Sequence, residues 1–453
     1  MLTGHVLRTR FGYGFGPRAA PVTPDALITA ATGPDPVAAR YPVLSFPQAM
    51  ALELRRHDAH LAAKTGDADA KAEVATLRDA LRAAPVQGVQ AAFARILDSD
   101  APLRERLTWF WADHFTVSGR NIAQVAGTAG YVDEAIRPHV MGRFADMLKA
   151  VGQHPAMLAY LDQHASAGPR SRHGQRTGRG LNENYARELL ELHTLGVGSA
   201  YTQGDVRETA ELLTGLSLNK SRGFAFRNNM AEPGPETILG ETYGSDAAAQ
   251  LHDITGFLDD LARHPTTVRH LVNKLVVHFV SSDPPPPLVD DLIDTWQATD
   301  GDLAAVTETL VRHPLAQTEP LHKVKAPMTF MASVMLALGL RGADIAQLEP
   351  RDVRRIIAGP LSRMGQPFLR APGPDGWSED AADWITPQGL AARIGWAVWS
   401  VRLWGQGVDD PLAVLDRTLP GRAEGTLRFA VGGAETRADA LTLVLASPAF
   451  NRS

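Results

Sequence analysis

Two carboxylates, an amide and a guanidinium recur at helical spacing in one stretch of the chain. Asn184, Glu188 and Glu191 follow i, i+4, i+7, and Arg187 lies beside them. At about 100° per residue, all four fall on one face of a helix predicted from Asn182 to Gly196. Carboxylates paired on one face can divide the roles of general acid and general base or hold a metal, and a neighbouring guanidinium tunes their pKa values. The plainer reading is a solvated face laced by Glu183–Arg187 and Arg187–Glu191 pairs. The opposite face is an apolar stripe of Tyr185, Ala186, Leu189, Leu190 and Leu192, with His193 in its middle.

His114 has the same setting. It lies one turn from Phe110 and Trp111 near the end of a predicted helix over 102–115. A lone histidine in an apolar stripe is usually a satisfied core residue. Two that meet Glu188 or Glu191 in one cavity would instead ligate a metal or act as acid and base. The expectation is therefore that Glu188, Glu191, Asn184 and Arg187 are catalytic candidates, with His114 and His193 as candidate ligands of a divalent metal. Glu191 and His193 are two apart, so the Glu-x-x-His spacing of di-iron bundles is absent.

Two loops add candidate binding residues. The run Arg170 to Gly180, rich in Arg and Gly, leads into the polar helix, and Arg179 could hold an anion at its start. It matches no phosphate-loop or dinucleotide pattern, and a plain surface loop fits it as well. Trp377 and Trp384 lie in a second loop, over 366–387, where an exposed indole could stack on a sugar or a partner surface and a buried one would anchor the loop.

Amphipathic segments must position these residues. Periodicity predicts helices over 46–63, 66–83, 87–97, 102–115, 182–195, 203–214, 265–280, 286–298 and 387–404, among others. His154-Pro155, His264-Pro265 and His313-Pro314 each precede an apolar-periodic run and are predicted helix starts. Strand signals are confined to Phe224–Phe226 and Thr237–Leu239, which flank Pro233-Gly234-Pro235 and could pair as a small hairpin. The fold class reads as mainly α. The domain reading is one large helical domain over 1–453, with a division into 1–218 and 219–453 as the alternative.

Composition sets limits. The 453 residues are 44% hydrophobic and 21% charged, which is ordinary for a globular protein, and the net charge of -5 argues against a general nucleic-acid binder. The absence of cysteine removes disulfides, thiolate nucleophiles and Cys-held metals. Lysine is rare, with Lys64, Lys71, Lys149, Lys220, Lys274, Lys323 and Lys325 the whole set. No apolar run approaches the roughly 20 residues of a membrane span, and the first residues lack a leader-like apolar region, so the expected location is cytoplasmic.

Several motifs together carry a resemblance. Arg10-Phe11-Gly12-Tyr13-Gly14, Trp109-Phe110-Trp111 with His114-Phe115, the helix at 182–196, Tyr201-Thr202-Gln203, Leu213-Thr214-Gly215, His264-Pro265 and Gly376-Trp377 look like the bacterial family catalogued as domain of unknown function 1800. The likeness spans nearly the whole chain. It implies no established activity. Its members are often encoded beside proteins of the alkaline-phosphatase and sulfatase type, which implies such a protein as a partner. One departure matters: where relatives carry His-Asp before the Pro-Gly turn and Lys after it, this chain has Ala231-Glu232 and Glu236. The Phe-Gly motif also lies about ten residues from Met1, so exported relatives do not make this chain exported. Two function readings follow. One is a hydrolase or metal-assisted enzyme acting on a polar or anionic substrate, carbohydrates included, near helix 182–196. The other is a non-catalytic accessory protein for a phosphatase-like or sulfatase-like partner.

Overall fold

A computed structural model describes all residues except 1, 20–21, 319–320, 409 and 422–424. The chain is mainly α, with two small two-stranded antiparallel sheets. Its apolar residues gather into two cores. The larger draws on residues from Leu7 to Ala316, the smaller on Tyr13, on Val86 to Leu97 and on Met328 to Phe450. Helix Ala68–Asp98 joins them, giving Leu81 and Ala84 to the first core and Val86, Val89 and Phe93 to the second. The break expected at Pro85 does not form. Ala84, Val86 and Val89 are buried around it, and their packing offsets the missing N–H bond, about 3 kcal/mol in a helix interior. Trp109 packs against both cores.

Each His-Pro pair starts a helical segment in the same way. Nδ1 of His154, His264 and His313 accepts the N–H of Ala156, Thr266 and Leu315 at 3.1, 3.2 and 3.2 Å. The histidine caps a free donor while the proline presets the first turn. Helix Ile122–Tyr131 went unpredicted because its periodicity is diluted by glycines. A Cβ on Gly127 would meet the Phe46 ring at 2.8 Å, and one on Gly130 the Leu44 carbonyl at 2.6 Å, so close packing against helix Phe46–Ala63 requires them.

The strands pair otherwise than expected. Phe224–Phe226 pairs with Leu216–Leu218, and Glu236–Ile238 with Glu241–Tyr243. Leu239 and Gly240 both have positive φ, at 54° and 90°, which builds a two-residue turn that joins the second pair locally. Among the described residues no helix is long and apolar enough to cross a membrane.

Candidate functional site

The helix that attracted attention is not regular. It is α from Asn184 to Glu188 and then widens into a π turn over Leu189–Thr194. Leu195 N donates to Leu190 O at 2.9 Å, and Thr194 Oγ1 to Leu189 O at 2.6 Å. The 100° rule fails past Leu189, and Leu195, which regular geometry would put on the polar face, is buried. Arg187 sits between Glu183 at 3.6 Å and Glu191 at 3.3 Å, and also holds Gln203 at 2.9 Å. Arg187 is 39% exposed, so these residues form the solvated ion-pair face of the plainer reading. Glu191→Gln should therefore change stability by no more than about 0.5 kcal/mol in chemical denaturation. Asn184 is exposed. Glu188 stands apart from this ladder. Half-buried, it has its pKa pushed above the usual carboxylate value by desolvation, then by Glu191 and Asp375.

His114 and His193 do meet, but in the core. Their ring centroids lie 6.2 Å apart, and His114 Nε2 donates to the His193 carbonyl at 3.1 Å. Burial, with Lys274 adding to it, pushes His114 well below its ordinary pKa and His193 down to about 3, so both rings stay neutral. Among the described residues neither belongs to a group of three or more side chains with metal-ligand spacing, and Glu188 and Glu191 do not join them. Arg179 is exposed beyond the short helix Arg172–Thr177. Trp384 is an anchor, 5% exposed, with its Nε1 on Ser378 O at 3.0 Å. Trp377 is half-buried and lines a cleft.

That cleft is where the chemistry-bearing groups converge. Helix Pro102–His114 delivers Arg106 and Asp113, and helix Pro265–Phe279 delivers His270, Lys274 and His278 at i, i+4, i+8. Asp113, His114, His270, Lys274, Trp377 and Glu379 line one lobe. A second lobe shares Asp113, Trp377 and Glu379 and extends to Arg106, Lys323 and Trp109, between the two cores.

Asp113 takes the N–H of Trp377 on Oδ1 at 2.9 Å. This one bond does not offset its desolvation, and its pKa rises to about 7. Lys274 is shifted the other way: desolvation lowers its pKa against the pull of Asp113, Glu379 and Asp375. Asp375 also acts on Glu188, adding to the rise in its pKa.

A second set of contacts holds the Trp377 loop in place. Arg106 Nη1 donates to Thr329 Oγ1 at 3.1 Å and its Nη2 to His278 Nε2 at 3.3 Å. His278 therefore carries its proton on Nδ1 and donates it to Glu379 Oε1 at 2.5 Å. Glu379 Oε2 pairs with Lys323 at 2.8 Å. Despite burial, His278 and Lys323 bring Glu379 down to about 2, so it remains a carboxylate.

Asp113, Lys274 and Glu379 escaped the sequence reading. The available signals were the polar stripe His270, Lys274, His278 in an otherwise apolar helix, and the lysines themselves, since Lys274, Lys323 and Lys325 are three of only seven and all line this cleft.

Four of the quoted motifs surround the cleft or its supports: Tyr13, Trp109 and His114 line it, His193 backs it, and Gly376-Trp377 closes on Asp113. Comparison with curated proteins and with solved structures gives no match. A family described as "Protein of unknown function (DUF1800)" matches residues 6–452, and with essentially its whole length covered the chain belongs to that family.

Proposed function

We propose that the protein is an enzyme, a hydrolase of polar or anionic substrates, and that Asp113 and Lys274 carry its chemistry. One observation supports this above the others. Two ionisable side chains face the same cavity, and burial moves both pKa values toward neutrality, the acid up to about 7 and the amine down from 10.5. As a carboxylate, Asp113 takes a proton from water as its oxygen attacks the substrate. The Lys274 ammonium, which has no hydrogen bond or ion pair among the described residues, holds the negative charge that develops on the attacked group. Asp113 then returns the proton to the leaving oxygen. Lys274, Lys323 and Arg106 suit an anionic group, and the Trp377 and Trp109 rings suit the flat face of a sugar. Glu379 positions the loop.

The test is a panel of chromogenic phosphate esters, sulfate esters, carboxylate esters and glycosides, run with the wild type and Lys274→Met. Turnover in one class that falls at least about 100-fold in the variant, at unchanged melting temperature, is the expected result. Turnover that survives Lys274→Met undiminished, or no turnover in any class, overturns the reading.

A further inference from the structure

Some distance from the cleft in sequence and role, three carboxylates converge. Glu208 and Glu211 lie one turn apart on helix Gln203–Leu212, and Glu236 opens the strand Glu236–Ile238 packed against it. One oxygen from each lies within 4.8 Å of the other two. A cation with metal–oxygen distances of about 2.0–2.6 Å holds its ligands at such separations.

The partners of the three differ. Glu208 Oε2 accepts the Thr237 N–H at 3.0 Å, and Glu211 Oε1 accepts from Arg207 Nε at 3.1 Å. Glu236 is only 3% exposed, its Oε1 has no donor, and its carboxyl faces Glu208 and Glu211. A buried carboxylate without a donor is costly, so this position calls for a proton or a cation. Burial and the two neighbouring carboxylates disfavour a bare carboxylate at Glu236.

The local charge separates these choices. Arg207 serves Glu211 and Arg170 serves Glu232. Four carboxylates, Glu208, Glu211, Glu232 and Glu236, thus face two guanidiniums, and 4 − 2 leaves two negative charges, which one divalent cation balances and one proton does not. An all-oxygen donor set suits a hard cation of the calcium, magnesium or manganese kind.

We propose that Glu208, Glu211 and Glu236 form a structural site for a hard divalent cation that clamps the Glu236–Tyr243 hairpin onto helix Gln203–Leu212. The site bears on the fold of this region and is independent of the hydrolase reading.

Calorimetric titration of the chelator-treated full chain with calcium, magnesium or manganese chloride, paired with thermal melting, tests it. Saturable binding near one equivalent and a higher melting temperature are expected for at least one cation. Glu236→Gln, which mimics the protonated acid and so keeps the fold, should weaken that binding at least tenfold. Glu208→Gln, at a partly exposed position, should do the same. Absence of binding heat with all three cations assigns the position to a proton and overturns the proposal. Binding of equal strength in both variants places the cation elsewhere and also overturns it.

Discussion

Asp113→Asn should make the protein more stable at pH 8 while removing its activity. The side chain keeps an oxygen for the Trp377 N–H, so the contact at 2.9 Å survives. What changes is the charge. The folded pKa of Asp113 is about 7 against an ordinary 3.8, so the folded protein binds the extra proton more tightly than the unfolded chain does. Stability from this group is therefore full below pH 4, declines as pH rises through 4 to 7, and stays lost above. A shift of that size corresponds to at most about 4 kcal/mol. Asparagine removes the decline. Lys274 then loses a counter-charge, which offsets part of the gain and leaves an expected increase of about 2 kcal/mol at pH 8 and almost none at pH 4. Denaturation curves from pH 4 to 8 decide the matter, and parallel pH dependence in the two proteins would refute the assignment of a raised pKa to Asp113. On the hydrolase reading, turnover should fall by roughly 10²–10⁴, the usual contribution of a general base. A stabilising change that abolishes activity separates a site residue from a core residue, whose loss lowers both.

Local chemistry made part of this legible in advance. Capping and periodicity identify helices such as Phe46–Ala63, Pro286–Ala298 and Pro387–Trp404 to within a residue, because each combines a clear start with a continuous apolar stripe. The ends of the 182–196 segment were legible too: Asn182 Oδ1 accepts the Asn184 N–H at 3.0 Å, and Gly196 stops the helix at φ 93°. Its interior was not. A π turn leaves no mark in hydrophobic periodicity, so the polar face drawn from regular geometry placed Glu188 and Glu191 in one role. The turn and the tertiary contacts put Glu191 in a partly exposed ion-pair ladder and Glu188 within reach of the Asp375 charge. The histidines at 114 and 193 were legible as core residues, and their approach to one another, apart from the glutamates, came only with the fold. The cleft was hidden for a different reason. Asp113, Lys274 and Glu379 come from segments far apart in the chain, and only tertiary packing gives them a shared cavity and the burial that shifts their pKa values. In sequence each is an ordinary charged residue, Asp113 near a helix end, Lys274 within a helix and Glu379 in a loop.

The loop that closes on Asp113 makes a second large effect predictable. Gly376 has φ 83°, and a Cβ there would lie 2.7 Å from the Asp113 carbonyl oxygen and 2.8 Å from Oδ1. Gly376→Ala thus meets two penalties: a left-handed backbone, about 1–2 kcal/mol for a residue with a Cβ, and a clash with backbone that cannot be relieved by turning a flexible side chain. The loop or the end of helix Pro102–His114 must shift, and an expected loss of about 3 kcal/mol follows. Gly66→Ala supplies the control. Its φ is 98°, with nothing within 4 Å of the added atom, so it carries the backbone term alone. The difference between the two variants measures the contact at Asp113. A second readout ties that contact to the site. The Trp377 N–H, with Lys274 second to it, holds the Asp113 pKa down against burial. Pushing the loop away removes the donor, so the Asp113 carboxyl resonance in a ¹³C titration should move its midpoint above about 7 in Gly376→Ala and stay put in Gly66→Ala. Equal destabilisation of the two variants, with an unmoved Asp113 midpoint, would show that the Gly-Trp turn merely spans the surface. The expected divergence would show that the loop sets the proton affinity of the acid beneath it.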